Sequence, residues 1–458
     1  MILDKVLSRF LEESPVTVMA HLALQRALDP GWIDALFEEH RQRQYTRELL
    51  FSTTVDLMTL VALGLQPSVH AAAQARKADL PVSLAALYEK INRTEPSLAR
   101  ALVAGSAERL EPLCMELRRG REPLCAGYQI RVVDGNHLPA SEKRLAALRG
   151  FRGAALPGHT LVVYDPDAGL VLDIVPCEDA HAQERTLMPS ILATSQPGEL
   201  WIADRNFSTT GILSGWHERS ASFIVREHAS SPNPTVKGEM RRIGRVETGT
   251  VYEQSVEIGP GEGKISLRRI EIHLDANTDG GDKVIRILTN LPFAKTAEEI
   301  AMLYRRRWTI ENMFQWLESV LHSEVRTLGY PRAALFAFSA AILAFNVLSV
   351  VRTAIETQHE IDPQAKAGLS LYYVVNEIKI SHKGMTIAVP TEAWDRYQNL
   401  SSKELSRLFL KIADYVDPHR FRKHPRAAKK IVRKGYVPGH IAREHISTAR
   451  VLATGSLA

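Results

Sequence analysis

Three acidic residues stand where phosphoryl-transfer chemistry would need them. Asp134 closes the alternating run Tyr128-Gln-Ile-Arg-Val-Val-Asp134, and Asp204 closes the apolar run Glu199-Leu-Trp-Ile-Ala-Asp204. Both runs read as β-strands. Acids at strand ends on one sheet edge meet at a cleft even when far apart in the chain. The third acid, Glu311, lies in Tyr304-Arg-Arg-Arg-Trp-Thr-Ile-Glu311, which reads as helix. Steps of three and four place Tyr304, either Arg307 or Trp308, Glu311, Gln315 and Glu318 on one face. Ile310, Met313, Phe314 and Leu317 surround the glutamate with apolar surface. Its charge therefore needs a partner, either Arg307 one turn earlier or a cation. Hard cations such as Mg2+ take a few carboxylates together with substrate phosphates. Two such ions about 3.5–4 Å apart stabilise the attacking and leaving oxygens of an in-line displacement at phosphorus. The competing reading is that each acid caps an element or pairs with a neighbouring base, as Arg205 beside Asp204 allows.

The elements that must position these acids fall into five stretches. Residues 1–120 read as a helical domain, with apolar positions at Phe51, Val55, Met58, Ala62 and Leu65. Within it, two short helices over 68–77 and 83–92 flank a tight break. They could form a helix-turn-helix with Ser83 as cap and Tyr88, Lys90 and Arg93 on the exposed face; a plain helical bundle produces the same pattern. Residues 121–228 supply strands at 128–134, 159–164, 170–176, 199–204 and 222–226, a hairpin turn at Asp165-Pro-Asp-Ala-Gly169 and a helix over about 180–195. Residues 229–292 are rich in Gly and Pro and read as a β-rich insertion, with strand-like runs at 249–258, 264–274 and 284–290. Residues 293–356 open a long helix near Thr296, with Glu298 and Glu299 complementing its dipole. That helix is expected to run through Tyr304 and Trp308 to about His322. Residues 357–458 read as helical with a basic tail.

Composition sets the bounds. The chain has 458 residues, 45% apolar and 24% charged, which excludes a disordered or collagen-like chain and suggests several domains. Three cysteines without a CxxC pair exclude a disulfide framework or cysteine zinc site and fit a reducing cytoplasm. The first ten residues lack the apolar run of a secretory leader. Residues 333–351 carry no charge and are long enough to cross a bilayer. They are alanine-rich and include Ser339, Asn346 and Ser349, so a buried core helix is expected and a membrane span is the rival. Residues 418–443 hold nine basic residues and no acid, which leaves the rest of the chain at −4 against a total of +5. Such a segment either attracts a polyanion or is a solvated tail.

The segment Tyr304-x-x-Arg307-x-x-x-Glu311 resembles the Y-R-E-K signature of insertion-sequence DDE transposases of the IS-four type. Asp134 in Val-Val-Asp-Gly-Asn-His and Asp204 in Ile-Ala-Asp-Arg-Asn-Phe are similar to the family's first two acids. The separations, 70 and 107 positions, fit a family whose β-rich insertion falls in the second gap. The resemblance covers about residues 45–350. It implies an α/β fold with an RNase H-like catalytic core and a β-rich insertion, preceded by a helical DNA-binding domain and followed by a helical, basic C-terminal region. It implies cleavage at element ends and strand transfer into target DNA. Asp134, Asp204 and Glu311 would hold two Mg2+ ions, with Mn2+ as substitute. The metal lowers the pKa of the attacking water or hydroxyl, so no histidine base is needed.

The implied partners are double-stranded DNA and a second copy of the chain on that DNA, with no membrane and a cytoplasmic, nucleoid-associated location. Tyr304, Arg305, Arg306 and Arg307 would contact phosphate, although Arg307 serves equally as a helix salt bridge and Tyr304 as a core-edge residue. Trp308 would stack on an unpaired base, although an aromatic on such a helix is more often core. Lys429, Lys430, Arg433 and Lys434 in the tail would position DNA without specifying sequence. The departure is Glu318, where the signature has a phosphate-binding lysine. Either Arg305, Arg306 or Arg326 then takes over that contact, or activity is impaired. A nuclease that cuts without joining, or an inactive DNA-binding derivative, would carry the same triad.

Overall fold

Seven helices come first among the described residues, and their apolar stripes need one another. The computed structural model describes residues 2–46, 48–77, 80–138, 157–278, 280–325, 328–363, 368–423 and 447–454. The helices are α1 (Ile2–Glu13), α2 (Pro15–Ala27), α3 (Pro30–His40), α4 (Phe51–Ala62), α5 (Val69–Ala75), α6 (Leu84–Arg93) and α7 (Pro96–Leu117). Proline opens α2, α3 and α7, where its missing N–H costs nothing. Ser68 and Ser83 cap α5 and α6 by accepting from Ala71 N and Ala86 N. The expected exposed face of α6 differs in the structure. Lys90 Nζ donates to Leu49 O at 2.7 Å and lies 4.7 Å from the Phe37 ring, so it is pinned inward. Arg93 is exposed and pairs with Glu89, and Tyr88 packs half-buried against the core.

The strands are β1 (Gln129–His137), β2 (His159–Asp165), β3 (Leu170–Cys177), β4 (Glu199–Ala203), β5 (Ser222–Arg226), β6 (Thr235–Val236), β7 (Arg241–Val246), β8 (Gly249–Ile258), β9 (Ile265–Leu274) and β10 (Val284–Thr289). They form one ten-stranded sheet in the order β3-β2-β1-β4-β5-β10-β9-β8-β6, with β7 on β8. β1, β2 and β3 run antiparallel, whereas β4 and β5 run parallel to β1. The strands within residues 229–292 continue this sheet, because β10 pairs with both β5 and β9. The turn after β2 closes on Gly169 at φ +70, a conformation that favours glycine. The helix expected over 180–195 is only a 3-10 turn, Glu184–Leu187, followed by α8 (Met188–Leu192). Pro189 sits in its first turn, where its missing N–H costs nothing.

One face of the sheet packs on α8 and α9 (Thr210–Glu218), through Val133, Val163, Ala203 and Trp216. The other carries the larger core, built on α7, α12 (Pro331–Gln358) and the N-terminal helices. In α12 the apolar window is 94% buried inside the protein, as expected of a core helix rather than a span. Ser339 and Asn346 are satisfied internally, Ser339 Oγ by donating to Leu335 O, whereas the buried Ser349 hydroxyl has no hydrogen-bond partner among the described residues. Asn346 accepts from Val171 N and donates to Val171 O, both at 2.8 Å, and so hooks α12 to β3. The long helix expected from Thr296 is broken into α10 (Ala297–Tyr304), a 3-10 turn Arg305–Arg307 and α11 (Trp308–Ser319). A full capping box between Thr296 and Glu299 starts it. Helices α13 (Leu371–Ala388), α14 (Asp395–Gln398), α15 (Ser402–Ala413) and α16 (Thr448–Thr454) complete the described chain. Lys429, Lys430, Arg433 and Lys434, like Arg326, lie outside the described residues.

Candidate active site

The pairing of β1 with β4 brings the two aspartates together. The parallel ladder runs from Gln129↔Glu199 to Val133↔Ala203 and stops there, so Asp134 and Asp204 are the next residues on adjacent strands. Asp134 does not end its strand, as the alternation had suggested. β1 continues to His137 because β2 still pairs with it, Asp134 opposite Val162. Asp204 does leave the sheet, as the cap of a 3-10 turn Arg205–Phe207. Both side chains follow the alternation of Val132 and Ile202, and so face the larger core.

The helical strand partner arrives on the same face. Tyr304 is buried, and its hydroxyl lies 3.5 Å from Asp204 Oδ1. Arg307 is also buried, and its Nη1 donates to Glu311 Oε1 at 2.6 Å and lies 3.6 Å from Asp134 Oδ2. The 3-10 turn decides between Arg307 and Trp308. Its tighter winding of three residues per turn rotates Arg307 inward and leaves Trp308 outside. Trp308 is 56% exposed, not core as its helix setting had suggested, with the Arg307 guanidinium 4.5 Å from its ring centre. Arg305 is exposed and bonds Glu247 Oε2 at 2.8 Å, while Arg306 is half-buried. Glu318 is exposed at the far end of α11.

The electrostatics are unbalanced. Burial pushes the Asp134 carboxyl up to about 7, against the pull of Arg307 and of the Gly135 N–H; Glu184 and Asp204 add to the rise. Burial and the charge of Asp204 raise the Tyr304 hydroxyl. Burial disfavours the charge on Arg307, but Tyr304, Asp204 and Glu311 outweigh it and raise that group. Arg307 Nε is buried without a hydrogen-bond partner. One guanidinium thus faces three carboxylates and leaves Asp134 under-compensated. The donor set, carboxylate oxygens only, is that of a hard divalent cation, and a buried acid short of positive charge is what such a cation would satisfy. Among the described residues no three His, Cys, Asp or Glu side chains are gathered around one metal-sized point; Arg307 stands between Asp134 and Glu311 instead.

Residues 126–347 match the family described as Transposase DDE domain. Similar chains include "Putative transposase y4zB" of Sinorhizobium fredii, 27% identical over 48% of this chain and 60% of that protein. Another is "Probable transposase for insertion sequence element IS5377" of Geobacillus stearothermophilus, 27% identical over 45% of this chain and 52% of that one. The chain thus spans just over half the length of the curated relatives it matches. Domains of this family generally use divalent metals.

The matched segment contains a fourth carboxylate that the sequence did not announce. Glu184 lies against Gly135, where an added Cβ would fall 2.0 Å from Glu184 Oε1. Its Oε2 accepts from Asn206 Nδ2 at 2.8 Å. Gly135 and Asn206 follow the two aspartates by one and two residues, so their small and amide side chains were a usable signal. Glu184 itself sits in an unremarkable polar run. His137 is exposed, its ring 5.2 Å from that of buried His159.

Proposed function

We propose that the chain is an insertion-sequence transposase that cleaves DNA at element ends and transfers the freed strand into target DNA. The observation that carries this reading is the meeting of Asp134, Asp204 and Glu311 around Arg307 within a DDE domain. The sheet order β3-β2-β1-β4-β5, antiparallel then parallel, supports an RNase H-like core. Asp134, Asp204 and Glu311 would hold two Mg2+ ions, for which Mn2+ could substitute. Bound there, the ions would supply Lewis-acid stabilisation of the attacking and leaving oxygens. Arg307 balances the carboxylates and keeps Glu311 oriented at the start of α11. Tyr304 closes the floor of the site beside Asp204. Trp308 and Arg305 lie outside it, placed to meet a nucleic-acid strand by stacking and charge. Double-stranded DNA would be held by residues 1–120 and by the basic residues Lys429, Lys430, Arg433 and Lys434, with two copies of the chain bringing two ends together.

A joining assay tests this. With a pre-cut end and a target plasmid, the wild-type chain forms strand-transfer product in Mg2+. Cleavage without joining would make the protein a nuclease. DNA binding without either step would make it a binding derivative, and Glu318 would be the first residue to revert.

A further inference from the structure

A cavity of about 410 Å3 opens one residue beyond Asp204, at the end of β5 and across β10 and β9. Four arginines line it: Arg205, Arg226, Arg269 and Arg286. Three of them are each tied to one carboxylate. Arg226 Nη2 donates to Asp282 Oδ2 at 2.8 Å, and Arg286 Nε donates to Glu271 Oε1 at 2.9 Å. Arg269 grips Glu227 with two parallel bonds, Nε to Oε2 at 2.8 Å and Nη2 to Oε1. Arg205 is exposed, and its guanidinium makes no hydrogen bond or ion pair among the described residues; Asp282 feels it only through space. The carboxylates therefore cancel three charges and orient three guanidinium planes, and they leave the fourth charge open.

Each guanidinium offers five donors and no acceptor, and most of these donors remain unspent. A net positive, donor-rich pocket of this size takes an anion with several acceptor oxygens. Its lining is chiefly charged, with His228 and no Phe, Tyr or Trp. Arg205 follows Asp204 directly, so the opening adjoins the triad. We propose that the cavity binds a DNA backbone phosphate next to the phosphodiester presented to the triad, with Arg205 as its principal ligand and Arg286 closing from β10. The carboxylate ties hold three of the arginines in place beforehand, so little side-chain freedom is lost on binding. This inference rests on the transposase reading and extends it to a second phosphate.

The test is equilibrium binding of the full chain to a short random-sequence duplex across about 50–200 mM salt. Arg205→Gln and Arg286→Gln should each weaken binding several-fold and flatten the slope of log affinity against log salt by about 0.9. Arg245→Gln, on β7 outside the cavity, reports what any lost charge does, and Asp134→Asn should keep the wild-type slope. Slopes for Arg205→Gln and Arg286→Gln no flatter than that of Arg245→Gln overturn the proposal. Calorimetry with inorganic phosphate separates the sources of the anion. Phosphate binding that needs Arg205, with an unchanged duplex slope, would assign the cavity to a free anion and overturn the DNA assignment. Should Asp134→Asn still cut DNA while Arg205→Gln flattens the slope, the triad fails and the cavity stands.

Discussion

The ladder between β1 and β4 is flanked by an arginine–carboxylate cluster on each side, and the two are built differently. At the amino end, buried Arg131 spends four of its five donors. Its Nη1 donates to Asp165 Oδ2 at 2.6 Å and to Ile130 O, its Nη2 to Gln129 Oε1 at 2.9 Å, and its Nε faces Glu199 Oε1 at 3.4 Å. Asp165 in turn accepts the N–H groups of Asp167 and Ala168 in the hairpin turn. At the carboxyl end, Arg307 leaves Nε unpartnered, and Asp134 is pushed up to about 7 chiefly by burial. The first cluster closes on itself and holds β1, β2 and β4 in register. The second is left short of positive charge where the β1–β4 ladder ends. A closed cluster has nothing to offer a ligand, whereas an open one retains electrostatic energy that a cation or phosphate contact can relieve.

The largest effect should separate the ends by function. Asp134→Asn, Asp204→Asn and Glu311→Gln should each lower cleavage by at least about a thousandfold, of the order seen when a charge-stabilising group is removed from a site, with DNA binding within a few-fold of wild type. Normal cutting by any one variant removes that residue from the site. The next effect should separate the ends by stability. Arg131→Met strands Asp165 and Glu199 without their cation and should cost about 3–5 kcal/mol in denaturant melts. A loss below about 1 kcal/mol would show that the closed cluster is not structural.

A smaller effect has the opposite sign. The folded Asp134 pKa of about 7 lies above its ordinary 3.8, so ionising it destabilises the metal-free fold as pH rises between those values. Asp134→Asn should therefore match wild type near pH 4 and be more stable by up to about 4 kcal/mol at pH 8. Equal pH profiles would mean that Asp134 is not under-compensated. Glu318→Lys should tighten duplex binding and steepen its salt slope by about 0.9; no change would place α11's outer end away from DNA. The smallest effect concerns Trp308. Trp308→Ala should leave stability within about 0.5 kcal/mol, since the ring is exposed.

How much of this was legible beforehand differs element by element. The hairpin of β2 and β3 could be read because its turn chemistry and its two apolar runs are local. So could the burial of α12, whose serines and asparagine argued against lipid. The end of β1 could not, because its extension past Asp134 is decided by pairing with β2, a partner distant in sequence. Nor could the break before α11, since three arginines have no local preference for a 3-10 turn. Lys90 looked solvent-facing by helical period, but it is drawn inward by the Leu49 carbonyl and the Phe37 ring.

Residue type and order alone determined the identity of the three acids, the capping of their helix and the charge of the tail, because these depend on local chemistry and composition. Tertiary structure alone decided that Arg307 rather than Trp308 turns inward, that Glu184 joins the site and that four arginines converge beyond Asp204. Each of these depends on which strand ends lie side by side, and only the folded sheet sets that.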